Sequence, residues 1–180
     1  MHNKADVWEA VEKFRREFPK QLCDIPADVL TVIEIEMGLD VVPLQNLQSH
    51  YLVDAAVIPD FSGIYVDKYS YRYIEGRPVR EFNRLRFSIA HELGHIVLHR
   101  HLAPQKGFAS IQEFFEWTRQ YQKDKYTLEQ QANEFAGRLL VSVNRLTEHF
   151  DEFSNRAKSK NVDMSDPAIR DRLSCTPRSF

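Results

Sequence analysis

Val7, Trp8, Val11, Phe14 and Phe18 recur at helical spacing among Glu, Lys and Arg, which predicts an amphipathic helix over residues 5–18, stopped by Pro19. A second helix is predicted from Pro26 to Met37, with Val29, Leu30 and Ile33 as its apolar stripe and Gly38 as its C-terminal cap. The period then shortens. Leu39, Val41, Val42 and Leu44 predict a strand in which Pro43 marks a sheet edge, and Gly63–Lys68 and Tyr69–Ile74 read as two further strands rich in β-branched and aromatic residues. Tyr69, Tyr71 and Tyr73 would then share one face as half-buried sheet packing.

Helical spacing returns at Phe82, Leu85, Ile89, Leu93, Ile96 and Val97, giving a helix over 82–99. Residues 101–126 read as loop and short helix, with Phe114, Phe115 and Trp117 for packing. Thr127-Leu-Glu-Gln130 has the form of a capping box and opens a helix through Leu128, Phe135, Leu139 and Leu140, running past Arg145. From Asn155 to Phe180 there are six Lys or Arg, three Asp and few large apolar residues, so this stretch reads as peripheral, with a short helix near Ala168–Leu173. No internal repeat or linker interrupts the chain. The expectation is one α+β domain over 1–180, its core within about 5–150, with N-terminal helices and a small, mostly antiparallel sheet.

Composition narrows the classes of function. The 180 residues are 43% hydrophobic and 28% charged with a formal net charge of −2, enough for a folded core and without the basic excess of a nucleic-acid binder. No apolar run approaches the length of a membrane span, and Met1–Lys20 lacks the apolar stretch of a secretory signal. Cys23 and Cys175 form no paired motif and read as reduced thiols. The expected setting is the cytoplasm, with no membrane contact and no direct nucleic-acid partner.

Four of the seven histidines fall between positions 91 and 101, and His91-Glu-Leu-Gly-His95 has the HExxH form. On a helix, residues four apart share a face about 6 Å apart along the axis, so two imidazoles can converge on one Zn²⁺. Glu92, beside the first ligand, is placed as general base toward the water that attacks a peptide carbonyl. Gly94 suits either close approach of another backbone or simple small-residue packing.

A third ligand has four candidates. His99 lies about 12 Å from His91 along a straight helix, too far to share an ion. His101 occupies the last position of the HExxHxxGxxH pattern, but Leu98 stands where that pattern turns on glycine. Glu134 lies five residues beyond Glu129 and faces elsewhere. Glu129 opens the second helix with Asn133 one turn later, so that Glu129 completes a two-histidine, one-glutamate set and Asn133 supports a ligating histidine. Imidazole and carboxylate also accept Mn²⁺, Fe²⁺ and Co²⁺.

Arg86-Phe-Ser-Ile-Ala-His-Glu-Leu-Gly-His-Ile-Val-Leu-His99, followed by Glu129-Gln-Gln-Ala-Asn-Glu-Phe-Ala-Gly-Arg-Leu-Leu140, resembles the ImmA/IrrE family of bacterial and phage metallopeptidases. The order of the earlier segments is similar too, so the resemblance spans roughly 5–150. It implies a compact zincin-like fold of the gluzincin type, zinc held by His91, His95 and Glu129, and Glu92 as general base. It further implies intracellular cleavage of a helix-turn-helix (Xre-like) repressor or antitoxin in stress response, mobile-element induction or a toxin–antitoxin pair. Gln131 and Ser142 stand where many members have Glu and Pro, positions read as peripheral to the chemistry. No helix-turn-helix segment is read in the chain, so the repressor is expected to be a separate protein.

The substrate is expected to lie extended beside an edge strand from the 62–75 region. His99, Tyr121 and Tyr126 are open alternatives for stabilising the oxyanion. Two readings compete with the peptidase. A non-catalytic zinc module that sequesters its regulator would normally close its metal with four protein ligands, one more than this set. A DNA-binding role would lean on the basic tail alone, and such a charge run is usually a solvated surface.

Overall fold

A computed structural model of the chain describes residues 3–22, 27–71, 79–120 and 126–141 (for 79–82, the backbone alone). The chain divides into two units, Met1–Ser142 and Val143–Phe180, and every described residue belongs to the first. Expectations that fall on Pro26, Tyr73, Ile74, Tyr121, the cysteines or the chain beyond Val141 lie outside the described residues. The helices are α1 (Lys4–Glu17), α2 (Pro19–Leu22), α3 (Val29–Thr31), α4 (Leu47–Tyr51), α5 (Lys68–Tyr71), α6 (Val79–His99), α7 (Ile111–Gln120) and α8 (Leu128–Leu140). The strands are β1 (Asp40–Leu44), β2 (Ala55–Val57) and β3 (Gly63–Asp67). The fold is α+β.

The first helix forms as its apolar spacing dictates. Its start is fixed by a capping box in which the Asn3 side chain accepts from the amides of Ala5 and Asp6 while Asp6 accepts from the Asn3 amide. Val7, Val11 and Phe14 are buried, and the Phe14 ring meets Phe135 of α8 edge-on at 5.9 Å. Arg15 reaches from this helix to helix ends elsewhere. Its guanidinium donates to the carbonyls of Leu22 at 2.7 Å, Leu139 at 2.6 Å and Arg138 at 3.2 Å, satisfying acceptors that a helix terminus leaves open.

The predicted 26–37 helix is broken among its described residues. Val29–Thr31 form a single α turn, and Val32–Glu36 widen into a π turn in which the Met37 amide donates to the Val32 carbonyl at 2.9 Å. The run Thr31-Val-Ile crowds an α-helix at χ1. Gly38, at φ +62°, turns the chain into β1, so the glycine serves as the predicted cap.

The sheet is mixed, with strand order β1-β3-β2, and this corrects the mostly antiparallel expectation. β1 pairs with β3 in parallel, Asp40 opposite Gly63 and Leu44 opposite Asp67, while β2 pairs with β3 antiparallel, Ala55 opposite Val66. The parallel pairing requires a crossover, and residues 45–62 supply it through α4 and β2. Pro43 does lie on an edge strand, where its missing amide costs nothing.

The expected Tyr69–Ile74 strand is not formed at its described residues, because Asp67 ends β3 as a cap. Its Oδ1 accepts from the amides of Tyr69 at 3.0 Å and Ser70 at 3.1 Å, which starts α5. Tyr69 and Tyr71 therefore do not share a strand face. α8 opens at the predicted capping box, with reciprocal Thr127 and Gln130 bonds, but it ends at Leu140 where Val141 becomes extended, short of the predicted run past Arg145. α6 packs along α8 and against β2, with Ile89, Leu93, Phe135 and Leu139 in the core. At Gly94 a Cβ would lie 3.2 Å from the Ala132 Cα and 3.3 Å from its carbonyl, so of the two roles considered for this glycine, close helix–helix packing is the one met.

Candidate metal centre

α6 and α8 bring His91, His95 and Glu129 together, with one donor atom from each within 4.8 Å of the others. The two Nε2 atoms are 3.2 Å apart, Glu129 Oε2 is 3.2 Å from His91 Nε2, and Glu129 Oε1 is 3.6 Å from His95 Nε2. The histidines share a face because they are four apart on one helix, and Glu129 reaches them from the first turn of α8 because Gly94 lets the helices close.

Each imidazole is fixed from behind. His91 Nδ1 donates to Asn133 Oδ1 at 3.0 Å, and His95 Nδ1 lies 3.0 Å from His99 Nδ1. The edge of the buried Phe114 ring packs against His95, centroids 5.5 Å apart. With Nδ1 of His91 carrying its proton, its Nε2 offers a lone pair to the same space as the Glu129 carboxylate. Donors gathered this way repel one another unless a cation or protons lie between them. A tetrahedral Zn²⁺ with ligands at 2.0–2.1 Å sets its donors about 3.3–3.4 Å apart, and the observed 3.2 and 3.6 Å bracket that spacing. The residues therefore fit a mononuclear divalent ion, and nothing in the set selects zinc over Mn²⁺, Fe²⁺ or Co²⁺.

Protonation tendencies follow the surroundings. Burial pushes Glu129 up, but the facing His91 and His95 rings outweigh it and hold its carboxyl well below the usual range. Burial pushes His91 down, yet Glu129 and Glu92 more than offset this and raise it. His95 is lowered, chiefly by burial, with His91 adding to the effect.

Glu92 follows His91 on α6 and reaches between the sheet and the cleft. It is 6% exposed, its Oε2 accepts from the Val57 amide of β2 at 3.0 Å, and its Oε1 lies 4.0 Å from His91 Nε2. Burial, with the Glu129 charge in support, pushes its carboxyl up to about 7 against the opposing pull of His91 and the Val57 amide.

The histidines, Glu92 and Glu129 line a cleft of about 270 Å³ whose other walls are Tyr51, Val53, Phe114, Phe115, Thr118 and Arg119. None of these wall residues, nor the Val57 amide, is singled out by the sequence for the site. Phe114 and Phe115 give a packing signal only, and a backbone donor gives none.

The remaining candidates lie elsewhere. His99 is fully buried behind His95, and His101 is exposed on the 3-10 turn Arg100–Leu102. Glu134 accepts from the Trp8 indole and pairs with Lys4 of α1 at 3.5 Å. Tyr126 lines a separate hollow with Gln130, Asn133 and Glu134. Neither His99 nor Tyr126 lines the cleft as an oxyanion donor. β3 is the central strand, so among the described residues of the 62–75 region the expected edge is not there, and the edge strand that abuts the centre is β2. Gln131, read as peripheral, is fully buried against His99.

An HExxH helix that faces a glutamate on a second helix, within an α+β fold, defines a candidate metal site of the peptidase type. The comparison with known families agrees: residues 82–161, the segment that carries both motifs, match the peptidase family described as IrrE N-terminal-like domain. It is the same ImmA/IrrE family that the sequence resembles. No curated protein matches the chain, and no solved structure does. Among the described residues, no helix is long and apolar enough to cross a membrane.

Proposed function

We propose that the chain is a metal-dependent endopeptidase, with His91, His95 and Glu129 holding one Zn²⁺, or Mn²⁺ in its place, and Glu92 acting as general base. One observation carries the reading: three donors at metal-ligand spacing face a cleft that also holds the buried Glu92 carboxyl. When bound, the ion supplies Lewis acidity toward a carbonyl and toward water.

The protein's own groups do the rest. The Val57 amide occupies one oxygen of Glu92 and so directs the other toward the histidine side of the cleft. That oxygen, as carboxylate, would take a proton from water and return it to a leaving amine. Tyr51, Val53, Phe114 and Phe115 give the cleft an apolar wall for a substrate side chain, and Arg119 adds a cation to its lining.

The family resemblance supports a substrate of one kind, a separately encoded helix-turn-helix repressor or antitoxin, and a cytoplasmic regulatory role. Incubating the zinc-loaded chain with such a regulator, with fragments read by mass spectrometry, tests this. Glu92→Gln is expected to keep its metal and lower cleavage by about 10²–10⁴-fold. Cleavage at the wild-type rate would remove Glu92 from the mechanism. Tight binding without any fragment would instead identify a sequestering module.

A further inference from the structure

Behind the centre runs a chain of hydrogen bonds, buried at His95, His99 and Gln131, that ends on a group unable to change its role. The Gln131 Nε2 amide donates to the Tyr126 backbone carbonyl at 2.9 Å, and a carbonyl can only accept. The Gln131 amide is thereby oriented, and its Oε1 faces His99 Nε2 at 3.2 Å. An amide oxygen also only accepts, so His99 carries a proton on Nε2. In the neutral ring this leaves His99 Nδ1 as an acceptor, and it faces His95 Nδ1 at 3.0 Å. His95 then carries its proton on Nδ1, and its Nε2 lone pair points to His91 Nε2 and Glu129. Both His99 and Gln131 are fully buried, so water does not compete for these bonds.

From this geometry we infer that His99 and Gln131 are positioning residues: a relay from the Tyr126 carbonyl through Gln131 and His99 locks His95 in the tautomer whose Nε2 can bind a metal. The inference rests on the metal-centre reading for its purpose, though not for its geometry. It explains why a third histidine follows at position 99 although it cannot reach the ion, and why position 131 carries a side chain with both a donor and an acceptor. His91 is held differently, by the single bond to Asn133 at the solvent side of α8. The two ligands therefore have unequal support, and the deeper one depends on two residues in series. Metal-ligating histidines commonly need such a partner on the far ring nitrogen, and losing it typically costs 10–100-fold in affinity.

The test uses the full chain labelled with ¹⁵N-histidine. Long-range ¹H–¹⁵N spectra of the zinc-free protein at pH 8 are expected to show His99 protonated at Nε2 and His95 at Nδ1. Chelator competition is expected to show zinc bound about 10–100-fold more weakly by Gln131→Met and His99→Leu. Gln131→Glu keeps an oxygen facing His99 Nε2 but has no amide to donate to the Tyr126 carbonyl, so it is expected to bind zinc more tightly than Gln131→Met and more weakly than wild type. Thermal melting checks that each variant folds, and if His99→Leu does not, the Gln131 pair decides alone. The relay is overturned if His95 is protonated at Nε2, or if Gln131→Met binds zinc as tightly as wild type. Should the wild type take up no zinc, the metal reading fails, while the spectra still decide the relay.

Discussion

Two carboxylates approach His91 from different elements, Glu92 from α6 itself and Glu129 from α8, and the molecule treats them in opposite ways. Glu92 is shut against the sheet with one backbone amide for company, and its environment favours the protonated form. Glu129 opens α8, is 40% exposed, and faces two imidazoles that favour its charge. The roles proposed for them, proton acceptor for the buried carboxyl and ligand for the half-exposed one, follow that difference. Burial and neighbouring charge, not residue type, assign the two roles.

The contrast is broken most completely from the α8 side. Glu129→Ala is expected to weaken zinc binding by about a hundredfold to a thousandfold, one ligand's share of a site of this kind. Isothermal titration at neutral pH measures it, and unchanged affinity would mean that Glu129 is no ligand.

On the sheet side, the expected effect is on stability. In the metal-free protein Glu92 has a raised folded pKa, so the folded state binds the extra proton between the ordinary glutamate range and about 7. Stability contributed by that proton is present at low pH and lost as pH rises toward 7. Glu92→Gln removes the titration and keeps an oxygen for the Val57 amide. Its stability relative to wild type should therefore grow from pH 5 to pH 8, by up to roughly 3 kcal/mol. Urea unfolding at the two pH values reads this difference, and a pH-independent difference would refute it.

Two smaller effects sharpen the comparison. Asn133→Ala releases the His91 ring and is expected to cost about tenfold in metal affinity with little change in melting temperature. Gly94→Ala gains about 1 kcal/mol of helix propensity but presses a methyl group against the α8 backbone. Stability should change by less than about 1 kcal/mol, while zinc affinity falls several-fold because the separation of the two helices sets the distance from Glu129 to the histidines.

What could be read from the sequence was local. His91, Glu92 and His95 share one helical turn, and Thr127 with Gln130 announces the start of the helix that carries Glu129 and Asn133. Such spacing survives whatever the rest of the chain does. The sheet was harder to read. Three-residue β2 shows no alternation, and Asp67 overrides the β-propensity of Tyr69 and Tyr71 by capping a helical turn. The amide that holds Glu92 belongs to a backbone and leaves no mark in the residue string. Gln131 and His99 were visible, but their pairing across two helices was not, because neither residue announces the other in the residue string.

Arg15 gives the first helix a bearing on chemistry it never touches. By gripping the carbonyls at the far end of α8, it ties the helix that carries Glu129 to the opening of the chain. A protein trimmed of its first twenty residues would retain every proposed ligand yet lose the clamp that keeps one of them in register.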